Sequence, residues 1–192
     1  MSRMDLVQYI AREDVDVVLG RIPVELRSRL RDVVLWGDSR GVRCLGWVRR
    51  GRREITLCSR LPLRVSLRAY MYRGCKAVDF GAPDRGQWPP WAVRRFLLYH
   101  VLLHELGHLQ LVGAAPNAWD GEFASEPLAD EFANEWRGRL YSEPFRHSDP
   151  VHNAPSNDEL EALTVWAGLD KSQRGRVATL QDLHRFRLQA AG

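Results

Sequence analysis

The most apolar part of the chain, Phe96-Leu97-Leu98-Tyr99 and then Val101-Leu102-Leu103, follows the pair Pro89-Pro90. Proline is tolerated in a helix's first turn, where the N–H it lacks would have no partner anyway, so this pattern predicts a long helix over Trp91–Val112. A second helical stretch is expected from Glu126 to Tyr141, with Leu128, Phe132, Trp136 and Leu140 as its buried stripe at i, i+4 spacing. Gly113 to Asp120 reads as the loop between them. Ahead of Pro89 the pattern is different. Residues 5–35 read as helical, with Leu6, Tyr9 and Ile10 on one face and a second helix starting near Pro23. Short β-branched and aromatic runs then predict strands at Val33–Trp36, Val42–Val48, Glu54–Cys58, Arg64–Tyr72 and Ala77–Phe80, separated by turn signals such as Gly37-Asp38-Ser39 and Arg50-Gly51-Arg52. Arg64 to Tyr70 alternates with period two, as a strand with one wet face does. Residues 142–156 hold Pro144, Pro150 and Pro155 and read as a linker. Ser156-Asn157-Asp158-Glu159 matches a capping box, so another helix should start there and the tail should be helical. The expected fold class is α+β: a small twisted, mostly antiparallel sheet followed by two functional helices. Residues 1–141 form the main domain, and 142–192 a linker and helical extension packed on it.

The 192 residues and 45% apolar content suit one domain with a real core. No apolar run reaches the roughly 18 residues needed to span a bilayer, and the first residues lack a secretory signal. Cys44, Cys58 and Cys75 are sparse and odd in number, which argues for reduced thiols and a cytoplasmic home. Charge is uneven: residues 1–95 hold 20 Arg and Lys against 10 Asp and Glu, and residues 96–192 hold 8 against 14. A basic half could attract nucleic acid, but lysine occurs only at Lys76 and Lys171, so solvated arginine faces are the favoured reading. The basic turn Arg49-Arg50-Gly51-Arg52-Arg53 is read as a solvated hairpin tip, or else as a contact for phosphate or an acidic partner. No phosphate-binding glycine loop and no Gly-x-Ser-x-Gly nucleophile elbow occurs.

The chemistry is concentrated in His104-Glu105-Leu106-Gly107-His108. On a helix, His104 and His108 stand about one turn apart on one face, a spacing that lets two imidazoles reach one Zn²⁺. Glu105 then lies beside the open coordination position and can act as general base on a zinc-activated water. Two histidines and a glutamate buried among leucines would otherwise cost a few kcal/mol. Downstream, Glu126 and Asp130 are again one turn apart. Glu126 is the leading third ligand, with Glu122, Asp130 and Glu131 as alternatives, and Asp130 can orient a ligand histidine through its free ring N–H. Pro127 places Glu126 at the edge or in the first turn of its helix. His100, one turn before His104, is read as a supporting or core residue.

This arrangement resembles the gluzincin class of zinc metallopeptidases, and Glu126-x-x-Ala129-Asp130-x-Phe132-Ala133 is similar to the glutamate helix of the ImmA/IrrE-type peptidases. Leu111 stands where the metzincin extension carries glycine. The resemblance covers about residues 91–141 and implies a zincin-like fold and a protein or peptide substrate lying along a sheet edge. Ala77–Phe80 is the candidate edge. It also implies a donor for the developing oxyanion, for which Tyr141, His147 and His152 are candidates, with Ser142–Asn157 placed near the cleft mouth. The competing readings are a nucleic-acid-associated metalloprotease and a non-catalytic zinc-stabilised binding module.

Overall fold

The computed structural model describes residues 6–37, 44–71, 74–110 and 120–190, with side chains from 126 to 185 in the last span. Parts of the expected elements at Val42, Tyr72, Leu111–Val112 and the 113–119 loop lie outside these residues. The architecture is α+β. In chain order come β1 (Leu6–Gln8), α1 (Arg12–Gly20), α2 (Val24–Arg27), β2 (Asp32–Trp36), β3 (Gly46–Arg49), β4 (Glu54–Cys58) and β5 (Arg60–Pro62). The helices α3 (Pro90–Phe96), α4 (Leu102–Gln110), α5 (Asp120–Ser142), α6 (Asn157–Gly168), α7 (Lys171–Arg174) and α8 (Leu180–Ala190) follow.

β4 is the middle strand of a three-stranded sheet. It pairs in parallel with β2 and antiparallel with β3, in the order β2-β4-β3. Ile55, Thr56, Leu57 and Cys58 of β4 are all buried, as a central strand's residues should be. β1 and β5 form a separate antiparallel pair. Ser59 joins the two sheets, accepting from the Tyr9 N–H at 2.8 Å and donating to the Trp36 carbonyl at 2.9 Å.

Three expected elements take other forms. Leu6–Gln8 is a strand, because the i, i+3, i+4 pattern of Leu6, Tyr9 and Ile10 spans too few residues to fix a helix and pairing with β5 satisfies the backbone instead. α1 starts only at Arg12, where the Asp14 carboxylate reaches back to the Ala11 N–H at 2.8 Å. Arg64–Tyr70 keeps its period-two burial, with Val65 and Leu67 inside, but has no ladder partner. Instead, the Val65 carbonyl accepts from the Trp88 N–H, and Arg68–Tyr70 forms a 3₁₀ turn. Ala77–Phe80 is likewise a 3₁₀ turn, with the Asp79 carboxylate on the Lys76 N–H, so it supplies no sheet edge.

The long helix runs from Pro90 to Gln110 with a π-helical stretch at Leu97–Val101, where the Leu102 N–H bonds the Leu97 carbonyl five residues back. Single π turns inside α-helices occur frequently at functional sites. Leu97, Leu98, Leu102, Leu103 and Leu106 put this helix at the centre of the core. α5 begins a turn and a half before Glu126, so Glu126 is not a first-turn residue, and Pro127 sits inside the helix with its ring exposed. The buried stripe of α5 is Ala129, Ala133, Trp136 and Leu140, whereas Leu128 is 49% exposed. The small side chains face α4 for a reason. A Cβ added at Gly107 would sit 3.1 Å from Ala129 Cα and 3.2 Å from Phe132 Cβ, so the two helices approach as closely as glycine and alanine allow. No helix among the described residues is long and apolar enough to cross a membrane.

Candidate metal centre

Close approach of α4 and α5 brings three side chains to a point. His104 Nε2 and His108 Nε2 are 3.0 Å apart. Glu126 spans them, with one carboxylate oxygen 3.2 Å from His104 Nε2 and the other 3.3 Å from His108 Nε2. A tetrahedral ion about 2.0–2.1 Å from each ligand separates those ligands by about 3.3 Å; one ligand atom from each of the three residues lies within 4.8 Å of the others, a cluster small enough for one ion. His104 Nδ1 is 2.8 Å from Asp130 Oδ1. A proton held there by Asp130 leaves Nε2 as the lone-pair nitrogen that a metal needs. Asp130 thus contacts the back of His104 and is not the third apex. Glu131 is absent from the cluster, and the side chain of Glu122 lies outside those described.

The local electrostatics fit a cation. Hydrogen bonds from His104 and His108 hold the Glu126 carboxyl well below the usual carboxylate range. Burial works against charge on His104, yet the Asp130 and Glu126 carboxylates raise it to about 9. Glu105 is 7% exposed, and that burial pushes its carboxyl up to about 7 against the pull of both histidines. A carboxyl near neutrality can both take and return a proton. His100 packs against Phe96 and His104, with ring centroids 4.8 and 6.2 Å away. Burial, with Arg137 and His104 nearby, lowers it to about 3, so it stays neutral.

These groups open onto a cleft of about 270 Å³. Its helical wall carries Val101, His104, Glu105, His108 and Glu126; the facing wall is Cys44, Gly46, Trp47, Val48, Arg50 and Tyr70. β3 is the edge strand of its sheet among the described residues, and it runs beside α4. Gly46 makes this proximity feasible: a Cβ there would lie 2.9 Å from Glu105 Cγ and 2.8 Å from Val101 Cγ1. The residues of this wall escaped the sequence reading. The available signal was Gly46 itself, a lone glycine inside a strand pattern, which often marks close approach of another group.

Tyr141, His147 and His152 do not reach this cleft, and neither does the 142–157 segment. They lie across the long helix in a second polar cluster. His152 Nε2 is 3.3 Å from Asp14 Oδ1, and the Tyr99 hydroxyl donates to the His152 carbonyl at 3.1 Å. Arg94 bonds Asp14 at 2.9 Å and Asp149 at 2.8 Å. The phenol ring of Tyr141 is buried against Tyr99. Asp14, Asp149 and His152 also bring three metal-binding atoms together. There, however, the Arg94 guanidinium already supplies the positive charge that both carboxylates require.

Several arginines are paired within the chain, Arg95 in the core and others at the surface. Arg12 pairs with Asp16 and Asp32, Arg21 bonds the Leu140 carbonyl and Glu143, Arg29 bonds the Gln110 carbonyl, and Arg95 pairs with Glu159. Cys44, Cys58 and Cys75 are not joined in disulfides. Compared with known proteins, the chain matches no protein-family model, no curated protein and no solved structure.

Proposed function

We propose that this chain is a zinc-dependent metallopeptidase of zincin-like fold. The observation that carries the reading is the convergence of His104, His108 and Glu126, whose ligand atoms lie within 4.8 Å of one another, with buried Glu105 beside them. The three apex residues would hold the ion, and Asp130 fixes the tautomer of His104. Zinc in such a site supplies Lewis acidity and brings the pKa of a water toward neutrality. Glu105 would take the proton of the attacking water and return it to the leaving amine. The unpaired edge of β3 offers backbone donors and acceptors to an extended peptide laid beside α4. Tyr70 is the cleft hydroxyl able to donate to the substrate carbonyl oxygen, and burial raises its pKa, which keeps it protonated.

A purely structural zinc site has no use for a base beside the ion. The test is metal analysis with peptide hydrolysis. The purified protein should carry about one zinc per chain. His104→Ala and His108→Ala should lose it, and Glu105→Gln should keep it and lose hydrolysis. Undiminished hydrolysis by Glu105→Gln would overturn the assignment.

A further inference from the structure

The basic turn after β3 divides its arginines between two uses. Arg49 pairs with Glu54 at 3.4 Å. Arg53 adopts a left-handed backbone with φ 55°, its guanidinium bonding the carbonyls of Arg29 and Ser28. Those bonds and the Arg53 N–H on the Arg50 carbonyl at 3.0 Å hold the turn in place. Arg50 is different: it is exposed, lines the cleft, and pairs with no carboxylate among the described residues. Glu105 and Glu126 line the same cleft. Gly46, at the start of β3, stands beside Glu105, while Arg50 follows the strand's last residue, so acidic and basic groups are set apart along β3 and give the cleft a polarity.

From this polarity we infer that Arg50 selects the substrate, receiving a carboxylate side chain of the bound peptide. The inference rests on the peptidase reading and deepens it. Arginine's planar fork matches a carboxylate with two parallel N–H bonds, which adds geometric selectivity to attraction. Position along the peptide follows from strand geometry. At about 3.3 Å per residue, Arg50 lies roughly 13 Å along the strand from Gly46, which is level with Glu105. Antiparallel pairing is the more stable register, and it runs the peptide from Arg50 toward Gly46. The carboxylate then belongs two to four residues on the N-terminal side of the bond cut.

The test is binding by fluorescence anisotropy, with zinc-loaded Glu105→Gln protein and labelled decapeptides carrying one Glu, or one Gln, at each position in turn. Each is made with a free and an amidated C-terminus, which separates a side-chain carboxylate from a terminal one. Hydrolysis of the same peptides by the wild-type protein is followed in parallel. The expected result is three- to tenfold tighter binding of Glu over Gln peptides at the favoured positions, whatever the C-terminus. Arg50→Gln should abolish that preference at unchanged zinc content and melting temperature, and Arg50→Glu should turn it toward Lys. The inference is overturned if the preference survives Arg50→Gln, if it follows the free C-terminus, or if neutral and acidic peptides bind and are cut alike. Arg50-dependent binding of acidic peptides with no hydrolysis by wild type would uphold the inference and sink the peptidase reading. No binding and no hydrolysis would sink both.

Discussion

Replacing Gly46 by alanine isolates the positioning of Glu105 from the metal ligands. The new Cβ would stand 2.8 Å from Val101 Cγ1, 2.9 Å from Glu105 Cγ and 3.0 Å from its Oε1. Unbonded carbons settle near 3.5–4.0 Å, so about 0.6–1 Å must be found by moving something. Val101 is β-branched, buried and held in the long helix, so it yields little. The Glu105 side chain, free to rotate toward the cleft, takes up most of the displacement. A misplacement of about 1 Å in a reacting group costs on the order of 100-fold in rate. Overpacking of this kind costs roughly 1–3 kcal/mol of stability, which should leave the protein folded. Gly46→Ala should therefore keep its zinc and lose about 100-fold in kcat, with little change in KM, measured on any peptide that the wild type cuts. In a Glu105→Gln background the same change should cost nothing further, because the group it displaces no longer acts. Unchanged kcat in the single variant would refute the reasoning, as would loss of zinc, which would mean that Gly46 shapes the ligands and not the base.

Glu159→Gln should be severe, because Arg95 is fully buried and the pair is bidentate. Leaving that guanidinium without its counter-charge costs about 3–5 kcal/mol, or roughly 6–20 °C in melting temperature for a chain this size, checked by calorimetry. A fall under about 1 kcal/mol would contradict it. Asp14 should make acid stability pH-dependent: burial tends to raise its carboxyl, but His152, the Ala11 N–H and Arg94 together lower it to about 2 from 3.8. A carboxylate depressed by folding stabilises above the unfolded pKa and loses that contribution as pH falls through the folded one. Wild type should thus exceed Asp14→Asn by about 1–2 kcal/mol above pH 4, with the gap closing toward pH 2 in urea titrations. A pH-independent gap would contradict this.

The spacing within each half of the candidate site was legible because it is local: His104 and His108 on one helix, and Glu126 with Asp130 one turn apart on the next. Their meeting depends on the packing of α4 against α5, which helical spacing does not give. What faces them was not legible, since β3 becomes a cleft wall only through long-range pairing with β4. Expecting Ala77–Phe80 as the edge failed for the same reason: the segment is a 3₁₀ turn that buries Ala77 and Phe80 and leaves Val78 exposed, without a strand partner among the described residues. The buried face of α5 was misjudged by one residue because the search was for bulk. Gly107 meets Ala129 and Phe132, so Ala129 turns inward at the closest approach and Leu128 turns out, while Trp136 and Leu140 are buried as expected.

The 142–157 segment shows how proximity in sequence misleads. It leaves α5 only sixteen residues after Glu126, which suggested a place at the cleft, but sixteen residues of helix carry the chain roughly 24 Å away. What fixes the segment instead is distant in sequence. Arg21 and Asp14 on the N-terminal side, and Arg94, Arg95 and Tyr99 on the long helix, bond Leu140, Asp149, Pro150, His152 and Glu159. All three long-helix anchors lie before α4, on or just ahead of the π stretch, while His104, Glu105 and His108 lie after it. The C-terminal segment thus clamps one end of the helix whose other end carries the ligands. Stiffness is what a coordination site needs, since its three apices must hold their spacing against thermal motion without strain. A chain this size has about 5–15 kcal/mol of total stability, and one buried ion pair lost from the clamp removes a large part of it. On the proposed reading the segment would serve the site through the rigidity of that helix, since it does not line the cleft.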